Sequence, residues 1–594
     1  MWNKADLYEA LSAGATEPLL SREITEFLSR PRSQWHSRQL ELVRRRALEY
    51  LDAPIPQIPY QVFKLYWTCG DRSTHHPLYF ERRGRLLVFS ILCWLEPEDV
   101  RWKEALEDII WAICEEPFWC IPAHFMGPAD TPLPFEQYAT QLDLFSCETA
   151  FALAETLVLC RDRLSSDVVR QAELQIERRV FTPFLDGDRL FRFEDMHNNW
   201  CAVCGGSIGA AALHLMRDPV RLTNLLHRCL SCIDVYLDSF GEDGVSVEGV
   251  GYWTYGFGFL VCFADLLEKR SNGALNLFSL PKIQAIAQCQ QFYYLTGNHT
   301  VSFADGSTQG GFRMGLSCWL QKRYPHAALP DKQFADDVLL DNCYRYCLSL
   351  RDFLWYDEDT RFGLPAERSV WLKDAQWLIS CGSRLAVAAK AGHNGESHNH
   401  NDCGSFILCK DGQPLICDLG AGLYDAAYFG PNRYDLFINA SRSHNVALPA
   451  GCEQVFGAQH AARDVDLFQS DEVDVLSMEL SGCYDCPSLT GYSRSIAHDR
   501  SAGTLTLSDT LTFSQEQPFT EVFLSEDPIC LEDGRAVFSR SGVSLELAYD
   551  PAQFTPSLLE EVYRAHDTGA ECTAYLLHLT SAPAREHTCV FTLR

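Results

Sequence analysis

The sequence predicts an α+β multidomain chain: a helical part over residues 1–375, closed or nearly closed into an (α/α) toroid, followed by an antiparallel β-sandwich over 376–594. Three observations carry this. Before residue 375, apolar residues recur at three- and four-residue spacing, as in 144–164 and 220–240, which is the period of a helix face. These helical segments are separated by long aromatic loops, as in a solenoid that curves back on itself. After residue 375 the texture becomes short alternating or apolar runs, such as GTLTLSDTLTF and RAVFSRSGVSLELAYD, with Gly/Asp turns between them.

Each element follows from this pattern. The loop 115–138 carries Pro117, Pro122, Pro128, Pro132 and Pro134, which exclude a regular helix there. Two loop-to-helix junctions are polar. One is Asp195-Met196-His197-Asn198-Asn199-Trp200, where an Asn at a helix start reads first as an N-cap. The other is Gly241 to Gly256, which places Tyr252 and Tyr255 one helical turn apart. A third polar loop, 303–315, follows a helical stretch and is expected at the same mouth.

Composition limits the function. At 594 residues the chain exceeds one ordinary core. A net charge of −29 argues against nucleic acid and anionic membranes as partners, since both need a basic footprint. An anionic sugar stays compatible if a local cluster receives it. The start of the chain lacks a basic stretch followed by an apolar core, and runs such as Leu86 to Leu95 are too short to span a bilayer. The expectation is a soluble, cytoplasmic protein. The 25 cysteines are odd in number and scattered, which fits reduced thiols. The pairs Cys201/Cys204 and Cys229/Cys232 have zinc-like spacing, but they sit in apolar helical stretches and read as core.

The chemistry concentrates in Ser397 to Phe406, SHNHNDCGSF, followed by ILCKDGQPLICDLG and SRSHNVAL. Read as a strand, this stretch puts His398, His400 and Asp402 on one face. Two imidazoles and a carboxylate point to a metal site or to proton transfer. Asp418 and His444 are the natural additions.

In this order, the NNW junction, the EGxxY junction, the HxHxD-GSF stretch with its DLG, and the S-HN turn resemble the heparinase II/III-type polysaccharide lyases. That family pairs an (α/α) toroid with a C-terminal sandwich. The resemblance implies β-elimination at a uronic acid: the C5 proton is removed, the 4-O-glycosidic bond breaks, and an unsaturated sugar remains. It implies that Asn199 binds the carboxylate, that Tyr252 acts as base or acid with Tyr255 as the alternative, and that His398 is the partner. His197, Asn198, Trp200, Glu248, Arg433 and Arg442 become candidate substrate contacts. His400, Asp418 and His444 match the metal positions, for one mainly structural Zn²⁺. The implied partner is an acidic oligosaccharide, and a homo-oligomer is left open. Two departures stand out: Trp200 and Trp253 occupy positions where relatives carry His. Two other readings compete, a zinc-dependent glycan hydrolase and a sugar-binding homologue without activity.

Overall fold

The computed structural model describes residues 2–594 except 16, 128–130, 426 and 567, so Pro128 lies outside the described residues. Helices run from Lys4–Ser12 to Tyr346–Trp355, and the first strand of the C-terminal part is Arg368–Leu372. The change of architecture therefore falls between Trp355 and Arg368, somewhat before residue 375. The proline-rich loop contains only two described short 3₁₀ turns, Pro122–His124 and Phe135–Thr140.

The helical part is organised around Asn199–Leu215, whose NWCAVCGGSIGAAALHL sequence is buried almost throughout. It packs on Leu144–Cys160, Pro219–Asp238 and Gly258–Arg270. Small side chains are what let four helices converge here, since a helix without bulk on any face can be approached from every side. The segment Val250–Arg270 is long and apolar enough to cross a bilayer, which single apolar runs did not suggest. It is instead an inner helix, 83% buried within the protein. All cysteines are free thiols, and the four in the pairs Cys201/Cys204 and Cys229/Cys232 are buried.

Four antiparallel sheets follow among the described residues, one of them a two-stranded pairing of 393–394 with 457–461. A five-stranded sheet has strands 368–372, 377–381, 385–390, 406–410 and 413–416 in spatial order. Its alternate residues face opposite cores. Trp377, Ile379, Ala386, Ala388 and Ile407 join the helical core, while Leu378, Val387, Ala389, Phe406 and Leu408 join the sandwich core. Such a sheet is apolar on both faces, which is why these strands read as continuous apolar runs. An eight-stranded and a four-stranded sheet complete the sandwich.

One contact fixes the junction between the domains and a second braces the sandwich loops that carry the site. Gly420 has φ +64, and a Cβ there would lie 1.8 Å from the Gly306 carbonyl oxygen. Only glycine lets the sandwich backbone come this close to the helical-domain loop that contains Asp305. Gly420→Ala is expected to cost about 3 kcal/mol through strain and overpacking, read as a fall in the midpoint of chemical denaturation. The second contact is Arg494, fully buried between Asp509 and Glu521, which donates to the Gly404 and Asn445 carbonyls at 3.0 Å each. Arg494→Ala leaves two buried carboxylates unpaired, and a loss of about 3–5 kcal/mol is expected in the same measurement.

Candidate active site between toroid and sandwich

From the helical side, the Asn198 side chain accepts the Trp200 amide at 3.0 Å and so caps the helix. That leaves Asn199, the first helical residue, buried but facing a cleft of about 390 Å³. The helical domain supplies Asn199, Tyr236, Glu248 and Tyr252 to its wall, and the C-terminal part supplies His393, Glu396 and Ser397. Gly256 makes room for this: a Cβ there would lie 3.0 Å from the Asn199 Cβ and 2.6 Å from the Tyr236 hydroxyl.

Tyr252 and Tyr255 do not share a face. A π-helical turn, Trp253–Phe257, follows Tyr252 and widens the spacing. The Tyr252 ring lies 4.7 Å from the His398 ring, and its hydroxyl is 2.9 Å from that of Tyr424. Tyr255 instead donates to Glu148 and sits 3.7 Å beneath the Arg345 guanidinium, inside the helical domain. Burial raises both phenols well above the usual tyrosine range.

The stretch 397–405 is a loop, not a strand; the strand begins at Phe406. His398 has φ +56, a left-handed conformation uncommon for a non-glycine residue, and such strain clusters at functional sites. The expectation that His398, His400 and Asp402 share a face therefore fails for Asp402, which turns to the buried Lys390 at 2.8 Å. The two histidines do converge, on Asp305. His398 Nδ1 is 2.5 Å from one of its oxygens and His400 Nε2 is 3.0 Å from the other. Tyr424 donates to Asp305 at 2.7 Å, Arg433 at 3.1 Å, and Tyr428 also donates.

The electrostatics follow from these contacts. Burial opposes charge on Asp305, yet the hydrogen bonds from His398 and His400 hold it well below the usual carboxylate range. Burial works against an imidazolium at His398, but the hydrogen bond to Asp305 and the charge of Glu248 raise it above the usual histidine range. Glu248 is pushed up by burial, with His398 opposing. Its Oε2 lies 4.0 Å from His398 Nε2 and has no hydrogen-bond partner.

His400, Asp418 and His444 form a buried group whose ligand atoms lie within 4.8 Å of one another. His444 Nδ1 is 3.0 Å from Asp418, while His400 Nδ1 and His444 Nε2 are buried without partners. Orphaned imidazole nitrogens beside a carboxylate suit a metal ion, and Asp305 on the far nitrogen of His400 is the usual way to aim such a ligand.

The remaining candidates fall as follows. His197 is exposed and lines the cleft with Asn198 and Glu248. Trp200 packs edge-on against His124 at 4.7 Å, and His124 is held by Asp143 at 2.8 Å. Arg433 is occupied with Asp305 and with the carbonyls of His398 and Asn399, so it braces the loop. Arg442 pairs with Glu453 at 2.7 Å. Sequence reasoning missed Asp305, Tyr424 and Tyr428. The signals were there in part: the loop 303–315 was placed at the mouth, and the two tyrosines follow the DLG stretch at four-residue spacing.

Comparison with known proteins agrees with this architecture. Residues 365–552 match the family model described as heparinase II/III-like, C-terminal. No curated protein matches the chain in sequence. Among solved structures, a mutant of heparan sulfate lyase HepC from Pedobacter heparinus aligns over 99% of this chain and 87% of its own, with 12% identity and a TM-score of 0.63. A heparinase III aligns over 86% of this chain and 76% of its own, at 12% identity and TM-score 0.63. Chondroitin AC lyase of Streptomyces coelicolor A3, in complex with chondroitin sulphate, aligns over 99% and 82%, at 11% identity and TM-score 0.56. The chain thus carries a heparinase II/III-like C-terminal domain, and as a whole it has the toroid-plus-sandwich fold of the heparinase II/III-type polysaccharide lyases.

Proposed function

We propose that the protein is a lyase that cleaves a uronic-acid-containing glycan by β-elimination. The observation that carries this is the meeting of Tyr252 with His398 across the two domains, beside a cleft that Asn199 also lines. The C5 proton is weakly acidic, so the reaction needs three things: neutralisation of the uronate, a base at C5, and an acid at the leaving 4-oxygen. Asn199 supplies amide donors for the carboxylate. Tyr252 and His398 divide the base and acid roles, and the C5 epimer decides which of them faces the proton. Because Tyr424 gives its hydrogen to Asp305, the Tyr252 hydroxyl donates to Tyr424. Burial and the nearby charges of Asp305 and Glu248 retain the phenolic proton, while the Tyr424 bond favours its loss, so Tyr252 suits the acid role as much as the base role. Tyr255, engaged with Glu148, is the weaker candidate.

His400, Asp418 and His444 would hold one zinc ion. When bound, it would anchor the loop that presents His398, a structural role. Metal analysis of purified protein is expected to return one zinc per chain, and His400→Ala is expected to lose it together with a few kcal/mol of stability. Zinc-free protein that is well folded would contradict this assignment.

The functional test is incubation with glycosaminoglycan, alginate and ulvan-type oligosaccharides. A lyase yields an ultraviolet-absorbing unsaturated uronate. A hydrolase yields cleavage without that absorbance, and a binding protein yields no cleavage. The cytoplasmic location proposed from the sequence favours short oligosaccharides as substrates.

A further inference from the structure

One cation at the junction of the two domains stays outside the network around Asp305. Arg72 stands in the turn between the short helix Leu65–Cys69 and the long helix His75–Leu95. Its guanidinium lies near two aromatic rings, one from each domain: 5.4 Å from the Tyr66 centroid and 5.6 Å from that of Phe429. Phe429 is 47% exposed and packs edge-on against the His398 ring at 6.0 Å. A single ring therefore separates Arg72 from the His398 imidazole. The Arg72 charge also reaches His124, which packs against Trp200, the residue after Asn199.

This guanidinium has no partner in the protein. It makes no hydrogen bond or ion pair with any described residue, and its Nε is buried with its donor open. The carboxylate next to it in sequence, Asp71, is taken up by the turn: it accepts the Ser73 amide and hydroxyl at 2.7 Å each and the Thr74 amide at 3.3 Å. Asp143 is held by His124 at 2.8 Å and caps its own helix through the Ser146 amide at 2.8 Å. Burial lowers His76 and His124 below the usual histidine range, and the Arg72 charge adds to the effect. By contrast, Arg433 and Arg442 are spent on Asp305 and Glu453. Arginine carries five donors and no acceptor, and a buried donor left open is costly unless an acceptor arrives. The two rings hold the cation by cation–π attraction and take water from it, which strengthens any hydrogen bond it makes to an anion there.

We propose that Arg72 is a specificity-determining residue: it binds an anionic group, carboxylate or sulfate, on the glycan held against His398. The proposal rests on the lyase reading for the identity of that ligand as a glycan; the call for an anion comes from the open guanidinium. The planar fork of N–H donors matches either group through two parallel hydrogen bonds.

The test compares three oligosaccharides of one length on one uronate–hexosamine backbone: unsulfated, sulfated, and unsulfated with its carboxyl groups reduced to alcohols. Binding to full-length wild type, Arg72→Gln and Arg72→Lys is measured by calorimetry, and release of unsaturated product is followed in parallel. Arg72→Gln is expected to weaken binding of an anionic oligosaccharide by about tenfold or more, the size of a lost charge-assisted contact, while the neutral one binds wild type and variant alike. A loss on both anionic ligands identifies the bound group as a carboxylate, and a loss on the sulfated one alone identifies it as a sulfate. Arg72→Lys keeps the charge without the fork and is expected to retain part of the affinity. Because the side chain has no protein partner, neither variant is expected to lower the midpoint of chemical denaturation. Unchanged anion binding in Arg72→Gln, an equal loss on the neutral ligand, a lowered midpoint in both variants, or no binding of either anionic ligand to wild type would each overturn the proposal. Binding that depends on Arg72 but yields no unsaturated product would instead overturn the lyase reading and leave the anion contact standing.

Discussion

His398→Ala is expected to lower turnover of a uronate oligosaccharide by about 10³-fold while leaving the fold intact. On the lyase reading the ring is the sandwich's reacting group, with Tyr252 against one face and Asp305 holding Nδ1. Its removal deletes one of the two proton-transfer groups. It leaves the Tyr252–Tyr424 contact and the His400, Asp418, His444 cluster in place. His398 adopts a left-handed backbone that alanine tolerates no better, so the variant is not expected to gain stability. Steady-state rates, with circular dichroism as the control for folding, check this. Full activity in a folded variant would remove His398 from the chemistry.

The second large effect is expected at Asp305. Its carboxylate accepts from His398, His400, Tyr424, Tyr428 and Arg433, and it is buried. Asp305→Asn keeps the shape but replaces one acceptor oxygen with a donor, so at least one of these partners is turned away. It also leaves the Arg433 guanidinium without its counter-charge. A stability loss of about 3 kcal/mol and a fall in turnover of about 10²-fold are expected together. Denaturant midpoints and initial rates measure the two. Wild-type rates in this variant would mean that the Asp305 network does not orient His398.

How much of this could be read from the chain alone varies by residue. The helical and strand-rich halves are legible because each buries its surface with its own period. The chemistry of 397–405 is legible in its residue types but not in its backbone. Alternation predicted a strand, yet His398 and Gly404 both take positive φ, and Lys390 on the neighbouring strand captures Asp402. Asp305 could be placed only at the mouth of the site. Its partners lie 93 to 128 residues further along the chain, and no local pattern reports contacts at that separation. The choice between Tyr252 and Tyr255 depended on a π turn, which leaves no periodic signature. Arg433 and Arg442 were flagged for their charge, and each proves to be engaged within the protein.

The most direct test of the account follows a deuterium label placed at C5 of the uronate. If Tyr252 and His398 carry out an elimination, wild-type protein releases an unsaturated fragment that has lost the label, and the product masses sum to the substrate mass apart from that exchange. Tyr252→Phe then slows this loss by orders of magnitude. Fragments that keep the deuterium and together weigh one water more than the substrate would contradict the account.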